Sequence, residues 1–254
     1  VSTPQRSYKT AGIVLRARNL SEADKIFTIF TLESGKVDAV GKGVRRPKSL
    51  LAGRLEFVTE VSLSLHRGRS LDVITSAEIL VEHWRAIVEP DAFATAHVIV
   101  ELIDAFSERE YAMPDVYALL RGVLRALSTS TDPAALVPRF QLRLLGTLGY
   151  APESDACVRC NEAFGDRAAW ADLEAGGLAC ERCRPHRADV LALAPDDVAN
   201  FRGLAAWGEN AVRPATRATI PAARAVDAFV TWQLGKRTKS SRILDELSYR
   251  GASA

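Results

Sequence analysis

Four cysteines, and only four, occur in this chain, and they come as two pairs: Cys157-Val-Arg-Cys160, a gap of nineteen residues, and Cys180-Glu-Arg-Cys183. No other feature constrains the fold as tightly. Each Cys-x-x-Cys places two sulfurs on one tight turn, and two such turns supply the four donors of a tetrahedral zinc ion. The four ligands predicted are therefore Cys157, Cys160, Cys180 and Cys183, holding one structural Zn²⁺ per chain. A closed four-thiolate shell leaves no open position for water, so the metal has no catalytic role. Arg159, Arg182 and Arg184 offset the thiolate charge. Phe164, Trp170 and Leu178 are the candidate core of a small zinc ribbon, with Gly176-Gly177 as its hairpin turn. The alternatives are free thiols or two disulfides, and a reducing cytosol argues against the latter. His186 is a less favoured substitute ligand.

The cysteine segment lies between regions of different periodicity. Upstream, residues 58–66 alternate, with Val61, Leu63 and Leu65 on one face and Ser62, Ser64 and His66 on the other, which is a half-buried strand. Residues 12–18, 25–31, 36–42 and 71–75 read as four more, joined by turn residues such as those at 33–36 and 67–70. Five strands in about 70 residues predict a small closed barrel, of which the OB-fold is the common nucleic-acid-binding form. From residue 91 the period changes to helical. Helices are predicted over 91–110, 114–127 and 132–149, the last carrying Leu136, Phe140, Leu144 and Leu148 at four-residue steps, then a short helix after Pro195 and a final one over 221–235. The fold class is α+β: an N-terminal OB-fold barrel, then a helical domain carrying a four-cysteine zinc finger. The domains expected are 1–80 (barrel), 81–150 (helical), 151–190 (zinc module) and 191–254 (helices completing the helical domain).

Charge is unevenly distributed. Residues 1–80 hold 13 Lys and Arg against 8 Asp and Glu, whereas the remainder holds 20 against 23. The excess centres on "GKGVRRPKSLLAGR", residues 41–54, where Lys42, Arg45, Arg46, Lys48 and Arg54 occur with no acid among them. Five cations on one loop neutralise phosphates and release counterions, and arginine offers a planar fork to phosphate oxygens. The glycines are expected to bring backbone amides close to a strand. The alternative is a solvated loop. A second cluster, Lys236, Arg237, Lys239 and Arg242, follows the final helix. Part of it is expected from the helix dipole alone, and the rest suggests a second DNA-contacting strip.

Several chemistries are missing. No Gly-Lys-Ser/Thr phosphate loop occurs, and the four histidines form no metal-protease motif or triad. A zinc deaminase needs a Glu two residues beyond a zinc ligand, where Arg159 and Arg182 stand here. No apolar run approaches the roughly 18 residues of a membrane span, and the first residues lack a signal-peptide core. The expectation is a cytoplasmic, nucleoid-associated, non-enzymatic protein with no membrane partner.

Gly12-Ile-Val-Leu-Arg, Ser21-Glu-Ala-Asp-Lys, Phe30-Thr, Gly35-Lys, and above all residues 41–49, resemble the bacterial RecO family of DNA repair proteins, as does Lys236-Arg-Thr-Lys-Ser-Ser-Arg-Ile-Leu. The resemblance covers essentially the whole chain. It implies an OB-fold, a helical domain and an inserted zinc module. It also implies binding of ssDNA and dsDNA, annealing of complementary strands, and loading of RecA onto ssDNA together with RecR. The family further implies contact with the acidic tail of single-stranded DNA-binding protein, for which a groove on the helices between 91 and 149 and Arg121, Arg125, Arg139 or Arg143 are candidates. The competing reading is an adaptor whose basic loop holds acidic peptide tails, with no direct DNA role.

Overall fold

The computed structural model describes residues 6–187, 190–205 and 218–240. The chain divides into two compact units, Val1–Ser130 and Thr131–Ala254.

The first unit is a closed barrel with two helices. Its strands are β1 (Ser7–Asn19), β2 (Lys25–Thr31), β3 (Gly35–Gly41), β4 (Thr59–His66) and β5 (Asp72–Glu82), hydrogen-bonded in the order β1-β2-β3-β5-β4. The five strands and the closed barrel are those expected; the order includes a parallel pairing of β3 with β5. β1 is long because it serves two neighbours: residues 7–13 pair with β4 and residues 12–19 with β2, across a bulge between Val14 and Arg16. The alternation read in β4 is real, since Val61, Leu63 and Leu65 are fully buried. They pack with Val14, Phe27, Ile29, Val37, Ile74 and Ala77 in the barrel core. β5 runs well past residue 75, and two bulges against β4 break its alternation.

Two helices follow, α1 (Pro90–Phe106) and α2 (Pro114–Leu127). Each begins with proline at the first turn, and neither has a side-chain cap. α1 stops at Phe106, short of the expected 110. Residues beyond it are drawn to the start of β3 instead: the Lys36 N–H donates to the Glu108 carbonyl at 3.1 Å, and Arg109 bridges to Gly35 and Lys36. The Arg109 guanidinium also pairs with Asp38. Asp104 on α1 receives Arg16 and Lys36 at 3.1 and 3.0 Å, fixing the helix to β1 and β3.

The second unit contains α3 (Leu136–Thr147), a sheet of β6 (Ala169–Asp172), β7 (Gly177–Ala179) and β8 (Ala192–Leu193), α4 (Pro195–Ala205) and α5 (Ile220–Leu234). The sheet order is β7-β6-β8. α3 is buried along almost its whole length, through Leu136, Phe140 and Leu144 and also through Arg139 and Gln141. Gln141 donates to Asp227 on α5 at 3.2 Å. Phe201 of α4 meets Phe229 of α5 edge-on. Thr219 caps α5 by accepting the Ala222 N–H, and Gly235 closes it in the left-handed conformation at φ +67°.

Candidate nucleic-acid interface and metal centre

Residues 41–54 leave the end of β3 as a series of turns, but they are not a loose strap. Val44 and Leu55 are buried in the barrel core, and Leu51 packs against it. The segment therefore plugs one end of the barrel with its apolar side chains and turns the charged ones outward. Lys42, Arg45, Arg46 and Lys48 are all exposed. Arg54 differs: it is half-buried, and its guanidinium donates to the Ala77 carbonyl of β5 at 2.8 Å.

The β1–β2 turn clamps this segment. The Arg45 N–H donates to the Ala23 carbonyl at 3.0 Å, and the Arg45 guanidinium to the Ser21 carbonyl at 3.1 Å. Gly43, at φ +64°, donates its N–H to the Asp24 carboxylate at 2.7 Å. A left-handed residue at this point explains the glycine. The same bond corrects an expectation, because the Gly43 amide is spent inside the protein and is not presented to a strand. The sequence reading missed Ser21, Ala23 and Asp24 as anchors; Ser21-x-x-Asp24, where the Asp24 N–H donates to the Ser21 hydroxyl, was the available turn signal. Lys25 of β2 stands at the root of the segment, with Gly41 as its register partner. Of the aromatics nearby, Phe27 and Phe30 are core, so neither is a stacking surface.

The second basic cluster follows the left-handed cap of α5. Lys236, Arg237 and Lys239 are exposed, and Arg237 pairs with Asp227 at 3.2 Å. Arg242 lies outside the described residues. Among the arginines considered for an acidic tail, Arg121 is committed elsewhere: it pairs at 2.9 Å with Glu60, a buried carboxylate of β4. Tyr117 donates to the same carboxylate, and buried His83 sits with Nε2 3.9 Å from it. Burial holds His83 below the ordinary imidazole value; Glu60 pulls it up, and Arg125 and Arg121 push it down. Arg139 is itself buried, while Arg125 is exposed.

The four cysteines converge. All their sulfurs lie within 4.8 Å of one another, and none is in a disulfide. Zinc–sulfur bonds of about 2.3 Å give a tetrahedron with edges of about 3.8 Å. The Cys160 and Cys180 sulfurs stand 3.7 Å apart, matching that edge. Each turn is built for the purpose. The Asn161 N–H donates to the Cys157 carbonyl at 2.8 Å with Asn161 at φ +58°, and the Cys183 N–H donates to the Cys180 carbonyl at 3.0 Å. The turns are joined through β7, where the Val158 N–H meets the Leu178 carbonyl at 2.8 Å and the Leu178 N–H meets the Glu153 carbonyl at 2.8 Å. Gly177 must be glycine, since a Cβ there would stand 2.6 Å from the Glu153 carbonyl oxygen. Burial opposes a thiolate at Cys157, but amide donors from Cys180, Cys160 and Arg159 outweigh it and bring the pKa down to about 6. Arg182 reaches toward Cys160 and Arg159 pairs with buried Asp172, whereas Arg184 lies over the Trp170 ring. His186 is exposed and outside the cluster.

Two family profiles cover almost the whole chain: "Recombination protein O N terminal" matches residues 6–82 and "Recombination protein O C terminal" matches residues 88–242. The chain belongs to the RecO family. Among curated relatives, the DNA repair protein RecO of Bifidobacterium longum subsp. infantis is 36% identical over 242 residues, covering 94% of this chain and 98% of that one. Those of Nocardioides sp. and Thermobifida fusca are each 35% identical, covering 92% and 94% of this chain and 97% and 98% of theirs. The RecO N-terminal profile thus coincides with the barrel and the plug segment, and the C-terminal profile with the helices and the four thiols. No helix among the described residues is long and apolar enough to cross a membrane.

Proposed function

We propose that this chain is a non-enzymatic recombination mediator that binds ssDNA and dsDNA through the phosphate backbone, anneals complementary strands, and acts with RecR to load RecA onto ssDNA in the cytoplasm, at the nucleoid. The observation that carries the reading is the plug segment: four outward cations on a backbone pinned to the barrel by Val44, Leu55 and the β1–β2 turn. A pinned array loses little conformational freedom on meeting phosphates, and side chains that touch only phosphates read no sequence. Lys236, Arg237, Lys239 and Arg242 form a second, weaker strip. Zinc is the metal we infer for the four thiolates; when bound, it cross-links the two cysteine turns and does no chemistry on DNA. The acidic tail of single-stranded DNA-binding protein is a further partner, with exposed Arg125 as the remaining α2 candidate for its carboxylates.

The test is annealing of complementary oligonucleotides by the full chain and by a Lys42, Arg45, Arg46 and Lys48 to Ala variant, then RecA loading on ssDNA coated with single-stranded DNA-binding protein, with RecR present. The variant is expected to lose both. If it anneals as well as the parent yet fails to bind an acidic peptide, the segment is a peptide adaptor and the mediator reading falls.

A further inference from the structure

The four thiols of the metal centre are not equally reachable. Cys157 and Cys180 are buried, at 2% and 8% exposure, Cys183 is intermediate and Cys160 is exposed. The Cys157 sulfur also accepts the Cys180 N–H at 3.3 Å. Cys160 sits on the open side of the cluster, with the Arg182 guanidinium 4.0 Å from its sulfur. That guanidinium is held by Glu162 at 2.7 Å, and Glu162 is held from its other side by Arg167 at 2.8 Å. The other three sulfurs all lie within 4.8 Å of that of Cys160, and the Cys180 sulfur stands 3.7 Å from it. A metal-bound thiolate keeps a nucleophilic lone pair, so exposure decides which sulfur meets an oxidant first. A fixed guanidinium beside that sulfur also stabilises negative charge leaving a peroxide.

We propose that Cys160 is a peroxide-oxidation site through which the metal centre is opened. With zinc held by the four thiolates, as inferred above, the Cys160 thiolate attacks one oxygen of a hydroperoxide. The S–O bond forms as the O–O bond breaks, and the departing alkoxide or hydroxide takes a proton from water. The sulfur loses two electrons and becomes a sulfenic acid; the peroxide is reduced to an alcohol or to water. The Cys180 thiolate then attacks the Cys160 sulfur, forming the disulfide and expelling hydroxide. Only Cys157 and Cys183 remain as ligands, and two thiolates do not retain the ion. A reducing dithiol returns the Cys160–Cys180 disulfide to two thiols, itself becoming a disulfide, and the site can then take up zinc again. The plug segment, residues 41–54, contains no cysteine, so its phosphate contacts are chemically untouched. Oxidation thus opens the metal module without removing the loop's charge.

The experiment uses the full chain, with metal content measured first. Hydrogen peroxide is added, zinc release is followed with a chromogenic chelator, and cysteine oxidation is followed by timed differential alkylation and mass spectrometry. Cys160 is expected to lose its free thiol first, one zinc to leave per Cys160–Cys180 disulfide, and dithiothreitol with added zinc to restore the starting state. Cys160→His keeps four ligand atoms and should slow release about tenfold or more, because the exposed ligand no longer has an oxidisable thiolate. Should that variant fail to hold metal, the order of alkylation in the unmodified chain decides. Metal-loaded protein in which Cys157 or Cys183 oxidises as fast as Cys160, or in which Cys160→His releases zinc at the parental rate, overturns the proposal while leaving the zinc reading intact. Freshly purified, reduced protein with no metal overturns the zinc reading and this proposal with it.

Discussion

Replacing Arg45, Arg46 and Lys48 together with alanine separates the plug segment's charge from its architecture. All three residues are exposed, and the groups that pin the segment survive the change: Val44 and Leu55 in the core, the Gly43 N–H on Asp24, and the Arg45 backbone N–H on Ala23. What is lost inside the protein is one exposed hydrogen bond, from the Arg45 guanidinium to Ser21, and the thermal midpoint should hardly move. What is lost outside, under the function proposed above, is three phosphate contacts. Each contributes about 0.7 to the slope of log K against log salt for single strands, so the slope should flatten by about 2. Over a fourfold rise in salt that difference amounts to about a 20-fold smaller loss of affinity in the variant than in the parent. Fluorescence anisotropy with a labelled oligonucleotide at 50 to 200 mM salt measures it. Arg54→Ala is the contrast, because Arg54 is half-buried and its guanidinium donates to the Ala77 carbonyl of β5. It should lower stability by about 1 kcal/mol and alter the slope by less than a full contact. A triple variant whose slope equals the parent's refutes the assignment of phosphate contacts to this segment.

His83 is expected to make the first unit pH-sensitive. Its folded pKa is depressed, so the unfolded chain takes up the proton first; stability is complete above about pH 6.5 and falls as the pH drops below it. Denaturation series from pH 7.5 to 5 should therefore decline less steeply for His83→Gln than for the parent, and equal slopes would remove His83 from the account. Cys157→Ser should lower the melting temperature by several degrees and abolish stoichiometric zinc while leaving ssDNA affinity within about twofold, checked by calorimetry, metal analysis and anisotropy. Lys236, Arg237, Lys239 and Arg242 changed together to Gln should slow strand annealing while keeping most ssDNA affinity. Unchanged annealing with a lower melting temperature would make the cluster a helix cap only.

Local patterns carried most of the fold. The Val61, Leu63, Leu65 alternation and the turn residues between strands sufficed for the barrel, because a half-buried strand imposes a two-residue period on its own sequence. The Cys-x-x-Cys pairs sufficed for the four-cysteine cluster for the same reason, since each pair fixes its own turn. What was not legible depends on partners far along the chain. Arg121 looks like an available cation until Glu60, 61 residues earlier, is placed beside it. α1 ends early because Arg109 joins the start of β3, more than 70 residues upstream. Neither partner leaves a mark in the local period.

The plug segment shows how the same limit works on a candidate binding site. Its glycines, proline and cations read equally well as a solvated loop. The residues that fix its backbone are the few apolar ones among them, Val44, Leu51 and Leu55, and their spacing follows no helical or strand period. They fit the open end of a barrel that only the full strand order creates. Closure is strict enough to hold Val58, at the exit of the segment, at φ +52°. That conformation costs a β-branched residue roughly 1–3 kcal/mol. Complete burial and the hydrogen bond from its N–H to the Val14 carbonyl at 2.9 Å offset the cost. A segment held that firmly from inside presents its outward cations as a fixed array. Arginine and lysine side chains still adjust, but the backbone that spaces them does not, so in the function proposed here the array meets a polymer of regularly spaced charge without reading the bases it carries.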